Sequence, residues 1–204
     1  MACPFLSRHA VIQIVKLSPL FAGALSAAII AGITVWAFAQ LPGLWVWAAF
    51  IGWASYDHSG ANRKALFTSS TCMVFGVVMA WLVALVVAGG LVPIANSISS
   101  AVAAAAASFI IVCVSRCLPF SNVPATFYGF ASAFAFLLLV PRAFSMEAMT
   151  ANDLRNVLIC VPVSLLIGSV LGVVHQQFAS LLTAPEQRPL PPVATRLTPL
   201  KRES

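Results

Sequence analysis

The sequence predicts an all-α integral membrane protein whose six transmembrane helices form two inverted three-helix repeats. Three observations lead there. Hydrophobic residues make up 61% of the 204 positions and charged residues only 8%, whereas about a quarter of a soluble domain is charged. That much apolar surface cannot be hidden in a water-soluble fold. The apolar stretches are punctuated by proline, glycine and polar runs, leaving segments of a length suited to membrane crossings. Finally, Phe50-Ile51-Gly52-Trp53-Ala54-Ser55 returns 77 positions later as Phe127-Tyr128-Gly129-Phe130-Ala131-Ser132, with four of six residues identical.

Residues 1–18 carry Arg8, His9 and Lys16 among apolar side chains. They are expected to form a cytoplasmic N-terminal segment, either an interfacial helix or a basic flank before the first span. Pro19 to Ala39 is that span. Ala37-Phe38-Ala39 fits a small-residue cleavage pattern, but the apolar region of about 20 residues exceeds the 7–15 of a signal peptide. An uncleaved helix is expected.

The second segment, Leu44 to Tyr56, holds three of the five tryptophans. Its length of about 13 residues is short against the roughly 20 of an ordinary span. Asp57, Arg63 and Lys64 follow in a polar loop. The third span, Leu66 to Leu91, closes at Gly89-Gly90 and Pro93, and the fourth runs from Ile94 to Leu118. Pro124 to Val140 is the counterpart of the short second segment. A loop with Arg142, Glu147 and Asp153 leads to the last span, Leu154 to Phe178. The membrane domain thus covers 19–182, with repeats at 20–92 and 97–178. Five prolines mark residues 183–204 as a disordered cytoplasmic tail.

Basic residues set the topology. With six spans and a cytoplasmic N-terminus, the inner side receives Arg8, Lys16, Arg63, Lys64, Arg116, Arg188, Arg196, Lys201 and Arg202, and the outer side only Arg142 and Arg155. This is a strong positive-inside bias. Four spans with two re-entrant segments would give a similar bias. That alternative, however, places the loops 40–43 and 90–97, which lack basic residues, on the inner face. Six spans are favoured.

The repeat reaches beyond its six-residue core. At the offset of 77, Gly23, Ala24, Ala27, Ala28 and Ala31 fall on Ser100, Ala101, Ala104, Ala105 and Ser108. In the third and sixth spans the offset becomes 92, and Cys72, Gly76 and Ala80 fall on Ser164, Gly168 and Gly172. Small residues at four-residue spacing let helix backbones approach closely, within one chain or between copies of a homo-oligomer. An odd number of spans per repeat makes the second half enter from the opposite face, which is inverted topology.

No catalytic constellation, phosphate loop or metal-ligand pattern is visible, so neither an enzyme nor a cofactor is expected. The five acids, Asp57, Glu147, Asp153, Glu186 and Glu203, fall in loops, at helix ends or in the tail. Ion-coupled carriers usually hold an ionisable group inside the membrane. Its absence points to passive movement of a neutral solute, or to no transport. The basic residues form no patch, so nucleic acid is not a partner.

Gly52 and Gly129 interrupt the two short segments. If the helices break there, Ser55, Ser132 and freed carbonyls line a path walled by Phe50, Trp53, Phe127, Tyr128 and Phe130. If they do not, the small residues serve packing and the aromatics mark interface belts. Asp57, His58 and His175 lie on the cytoplasmic side, where histidine titration suits gating; the alternative, and the favoured reading, is an ordinary solvated loop pair. Cys113 and Cys117 share a helix face and read as apolar fillers.

Trp47-Ala48-Ala49-Phe50-Ile51-Gly52-Trp53-Ala54-Ser55-Tyr56 and Val123-Pro124-Ala125-Thr126-Phe127-Tyr128-Gly129 resemble a bacterial inner-membrane family known as domain of unknown function 1097. The likeness runs from Leu20 to Val174. It implies a bacterial cytoplasmic membrane location and supplies no site residues. The function expected is a channel or facilitator for a small neutral solute. The alternative is a non-transporting membrane subunit that anchors or regulates a partner protein.

Overall fold

The computed structural model describes residues 17–90 and 96–183. The N-terminal segment 1–18 and the proline-rich tail 183–204 fall outside the described residues, apart from Leu17, Ser18 and Thr183. The described chain is helical throughout: α1 (Pro19–Gln40), α2 (Val46–His58), α3 (Arg63–Ala88), α4 (Asn96–Val114), α5 (Val123–Leu139), the single turn α6 (Met146–Met149) and α7 (Val157–Leu182). It contains no strand, only an isolated bridge between Leu17 and Thr183.

Helix starts follow local chemistry. Asn62, Asn122 and Asn156 cap α3, α5 and α7, their side-chain oxygens accepting from the backbone N–H groups of Ala65, Ala125 and Leu158. Such caps satisfy donors that a helix start leaves free. Pro19 and Pro124 sit in first turns, where a missing N–H costs nothing. Helices α1, α3 and α7, of 22, 26 and 26 residues, are long and apolar enough to cross a membrane. Two shorter apolar helices, Ile98–Val114 and Val123–Leu139, accompany them.

Successive long helices reverse direction. The Trp45 N–H at the head of α2 donates to Ser164 Oγ near the start of α7, at 3.0 Å. At the other end of α2, Ser59 Oγ accepts from Asn122 Nδ2 at the start of α5, at 2.8 Å. Helix α2 therefore runs from one end of the bundle to the other, and the two are called here the Trp45 end and the Ser59 end. Leu17 N–H donates to the Leu182 carbonyl at 3.0 Å, which puts the start of α1 and the finish of α7 together at the Ser59 end.

The most extensive interfaces are α3 on α5 and α2 on α7, while α1 rests on α7 and α4 on α3. Both main interfaces are glycine crossings. A Cβ on Gly52 would collide with the Leu165 carbonyl oxygen, and one on Gly168 with that of Ala49. Likewise a Cβ on Gly129 would collide with the Met73 carbonyl, and one on Gly76 with that of Thr126. Each pair of helices thus meets backbone to backbone, through one glycine from each partner.

Of the two readings open at Gly52 and Gly129, the break does not occur, because α2 and α5 run unbroken through both residues. Glycine in a helix keeps its backbone hydrogen bonds, and what it gives up is the Cβ, which the crossing partner's backbone replaces. The small-residue faces of α1 and α4 are only partly covered: the buried stripe of α1 is Ala22, Ser26, Ile30, Thr34 and Phe38, Gly23, Ala27, Ala31, Ser100, Ala104 and Ser108 are half-buried, and Ala24, Ala28, Ala101 and Ala105 are exposed. In α3 and α7 the faces Cys72-Gly76-Ala80 and Ser164-Gly168-Gly172 are buried, as their spacing predicts.

The outer surface is strongly apolar. Phe21, Trp36, Phe109, Leu138 and Leu139 are all at least two-thirds exposed. An apolar surface of this extent is suited to acyl chains, and three helices of spanning length are those of a multi-pass membrane protein.

Candidate functional site

The residues marked out by the short segments are packed into the bundle rather than gathered on one path. Phe50 stacks on Trp53, with centroids 6.3 Å apart, and Trp53 in turn meets the His175 ring at 5.0 Å. Gly52 and Gly129 lie under the backbones of α7 and α3. Phe127 packs into a satellite cluster with Met79, Val83, Ala107 and Ile111, between α3 and α4. Ser55 is fully buried, its hydroxyl 2.7 Å from Ser69 Oγ.

Ser132, the counterpart of Ser55, is also buried, and its hydroxyl has no hydrogen-bond partner. Position 69 advanced by the α3-to-α7 offset of 92 is Val161, which offers no hydroxyl. Removing the orphaned group therefore costs nothing, while removing Ser55 strands Ser69. Ser132→Ala is expected to leave stability unchanged or raise it by up to about 1 kcal/mol, and Ser55→Ala to lower it by about 1 kcal/mol. Chemical unfolding in detergent reads both.

The three gating candidates separate. Asp57 and His58 are exposed at the Ser59 end, where His58 Nδ1 lies 2.9 Å from the Tyr128 hydroxyl. His175 instead ties α7 to α1. The Ser26 hydroxyl donates to the His175 carbonyl at 2.9 Å, and His175 Nδ1 lies 3.0 Å from the same Ser26 oxygen. With its one proton engaged, Ser26 accepts from the ring, so Nδ1 carries the hydrogen. That is a packing role.

At the Trp45 end lies a cavity of about 810 Å³. Its floor comes from the α1–α2 linker and the last turns of α5: Trp45 and Phe136 meet there with centroids 5.1 Å apart. Gly43 makes the turn in a left-handed conformation, φ 99°, and its carbonyl accepts from the Cys160 thiol at 2.8 Å. The rim is the segment between α5 and α7, which supplies Arg142, Glu147, Asp153 and Arg155.

The charges on this rim cancel. Arg155 Nη2 lies 2.9 Å from Asp153 Oδ2, its Nε donates to both Asp153 oxygens at 3.1 and 2.9 Å, and Nη1 lies 3.6 Å from Glu147 Oε1. The Arg155 hydrogen bonds hold the Asp153 carboxyl below the ordinary aspartate value of 3.8. Two cations and two carboxylates leave the lining with no net formal charge. A smaller cavity of about 370 Å³ opens at the Ser59 end, lined by Ser59, Asn62, Lys64, Thr68, Ser121 and Asn122 among others. Among the described residues, no three His, Cys, Asp or Glu side chains gather as metal ligands, and Cys113 and Cys117 are exposed.

Sequence reasoning passed over the larger cavity. The one trace of it was the longer loop after α5, with four charges of both signs in 14 residues. No curated protein and no solved structure matches the chain. A family profile does, over residues 24–180, and its description is "Protein of unknown function (DUF1097)". With well over half of its length inside that match, the chain belongs to this family.

Proposed function

We propose that the chain is a six-span facilitator for a small neutral solute in the bacterial cytoplasmic membrane. The observation that carries the reading is the 810 Å³ cavity, which is solute-sized, apolar at its floor, charge-balanced at its rim and built from both halves of the chain. The formal charges of the lining sum to zero, so the cavity as a whole favours neither a cation nor an anion.

The inverted repeat belongs to the same proposal. At the offsets 77 and 92, the crossing of Gly52 and Gly168 between α2 and α7 is the image of the crossing of Gly129 and Gly76 between α5 and α3. The contact of α1 with α7 is likewise the image of α4 with α3. A pseudo-twofold axis in the membrane plane relates helices in this way. Arg63, Lys64 and Arg116 cluster toward the Ser59 end, which makes that end, and with it both termini, cytoplasmic. The exposed small residues Ala24, Ala28, Ala101 and Ala105 of α1 and α4 suit a homo-oligomer.

The expected result is passage of at least one of water, urea, ammonia or a small alcohol through proteoliposomes, well above protein-free vesicles. Failure with all four sinks the proposal. One observation favours the other reading, a non-transporting subunit that anchors or regulates a partner: the glycine crossings leave no standing path between the short segments. That reading predicts no flux and co-purification with a partner.

A further inference from the structure

We infer that the two end cavities are alternately widened mouths of a single route, and that the structure holds the Trp45 end wide and the Ser59 end narrowed. The inference rests on the transport reading and sharpens it from channel to carrier.

The positions correspond across the repeat. Leu44 and Trp45, advanced by 77, become Ser121 and Asn122. Phe136, taken back by 77, becomes Ser59, and Leu154, taken back by 92, becomes Asn62. The first member of each of these four pairs lines the larger cavity and the second lines the smaller one. The same two positions even touch at both ends. At one end the Trp45 and Phe136 rings meet at 5.1 Å. At the other, Asn122 Nδ2 donates to Ser59 Oγ at 2.8 Å.

Both contacts are formed, but their chemistry differs, and so does what stands beside them. At the Ser59 end the Asn122–Ser59 bond is joined by the 2.9 Å contact between His58 and Tyr128, again linking the end of α2 to the start of α5. The images of His58 and Tyr128 are Ala135 and Ile51, which have no side-chain hydrogen bond to offer. One end is therefore latched by two polar contacts and the other is not, in keeping with cavities of about 370 and 810 Å³. Between the ends, the backbone-to-backbone crossings and the buried Ser55–Ser69 pair seal the bundle. Passage then requires the two halves to rock about the crossings, which glycine permits because no side chain interlocks there.

The test opens the latch while keeping the fold. Asn122→Asp retains the oxygen that caps α5 and removes the donor to Ser59, and Tyr128→Phe removes the hydroxyl that meets His58. Single reporter cysteines at Thr68, in the smaller cavity, and at Leu154, in the larger one, are placed in a chain freed of its five native cysteines and reconstituted in vesicles. A small water-soluble thiol reagent then reads both mouths. With the latch opened, labelling at position 68 is expected to rise about tenfold, because two hydrogen bonds are lost from one state only. Labelling at position 154 is expected to fall in step.

A rise at position 68 with no fall at 154 overturns the inference, since two mouths open together make a channel. No change at either position overturns it as well. Tyr128→Phe alone, which leaves the cap and the Asn122 bond intact, gives a smaller reciprocal shift if the double variant folds poorly. The transport reading fails separately, by absence of flux through the wild-type chain.

Discussion

Alanine at Gly129 or Gly168 is expected to cost about 3 kcal/mol, enough to abolish a monodisperse folded species in detergent. The added methyl meets not a side chain but the carbonyl oxygen of Met73 or Ala49, on a partner helix whose own backbone is fixed by its hydrogen bonds. Relief requires two long helices to move apart along their whole contact. The control lies in the same chain. A Cβ on Gly23 or Gly32 of α1 meets nothing within 4 Å, so alanine there is expected to be neutral, or to stabilise by about 0.5–1 kcal/mol through helix propensity. Thermal unfolding of the four variants, followed by size-exclusion chromatography, separates the two classes. Equal losses at Gly23 and Gly129 would show that the crossings are not where the bundle is held.

Trp53→Ala is expected to produce the next largest loss, about 2–3 kcal/mol. In water the removal of a buried tryptophan costs about 3–5 kcal/mol, but part of that is transfer from water, which is missing when the reference state is already in lipid. What remains is the void. Trp53 is only 8% exposed, lies between the Phe50 and His175 rings, and shares with Tyr56 the space that Gly172 leaves open. Trp47, on the same helix but 59% exposed, supplies the comparison, and Trp47→Ala is expected to change stability by less than about 0.5 kcal/mol. Denaturant titration in detergent micelles distinguishes them.

Much of the helical framework is legible in the residues because its causes are local. Pro19, Gly89-Gly90 and Pro124 mark helix limits through backbone geometry, and the asparagines at 62, 122 and 156 cap helices with their own side chains. The faces of α3 and α7 are legible too, since four-residue spacing of Cys72, Gly76 and Ala80 defines a stripe on one side of a helix. What that spacing does not carry is the identity of the partner. Gly52 reads equally well as a break or as a contact, because the deciding atom is the Leu165 carbonyl, 113 positions away. The small residues of α1 and α4 leave their partner open for a related reason: lipid and a neighbouring helix are both apolar, so alanine marks neither. The cavity at the Trp45 end joins two loops more than 90 residues apart. No local pattern of hydrophobicity describes such a meeting, and only the added length after α5 hinted at it.

The shortness of α2 has a consequence for the surrounding bilayer. At 1.5 Å per residue its 13 residues rise about 20 Å, against a hydrocarbon thickness of about 30 Å. The neighbouring α1 and α7 are long enough to reach both surfaces, and α5, with 17 residues, rises about 25 Å, so the shortfall is greatest on the flank of α2. On that flank headgroups and water must dip toward the Pro42–Trp45 linker, or the acyl chains must compress to meet it. The depression in the membrane and the vestibule in the protein are then one hollow, and acyl-chain length becomes a control on its depth. Lipids with shorter chains would fill the mismatch and draw the vestibule closer to the surface.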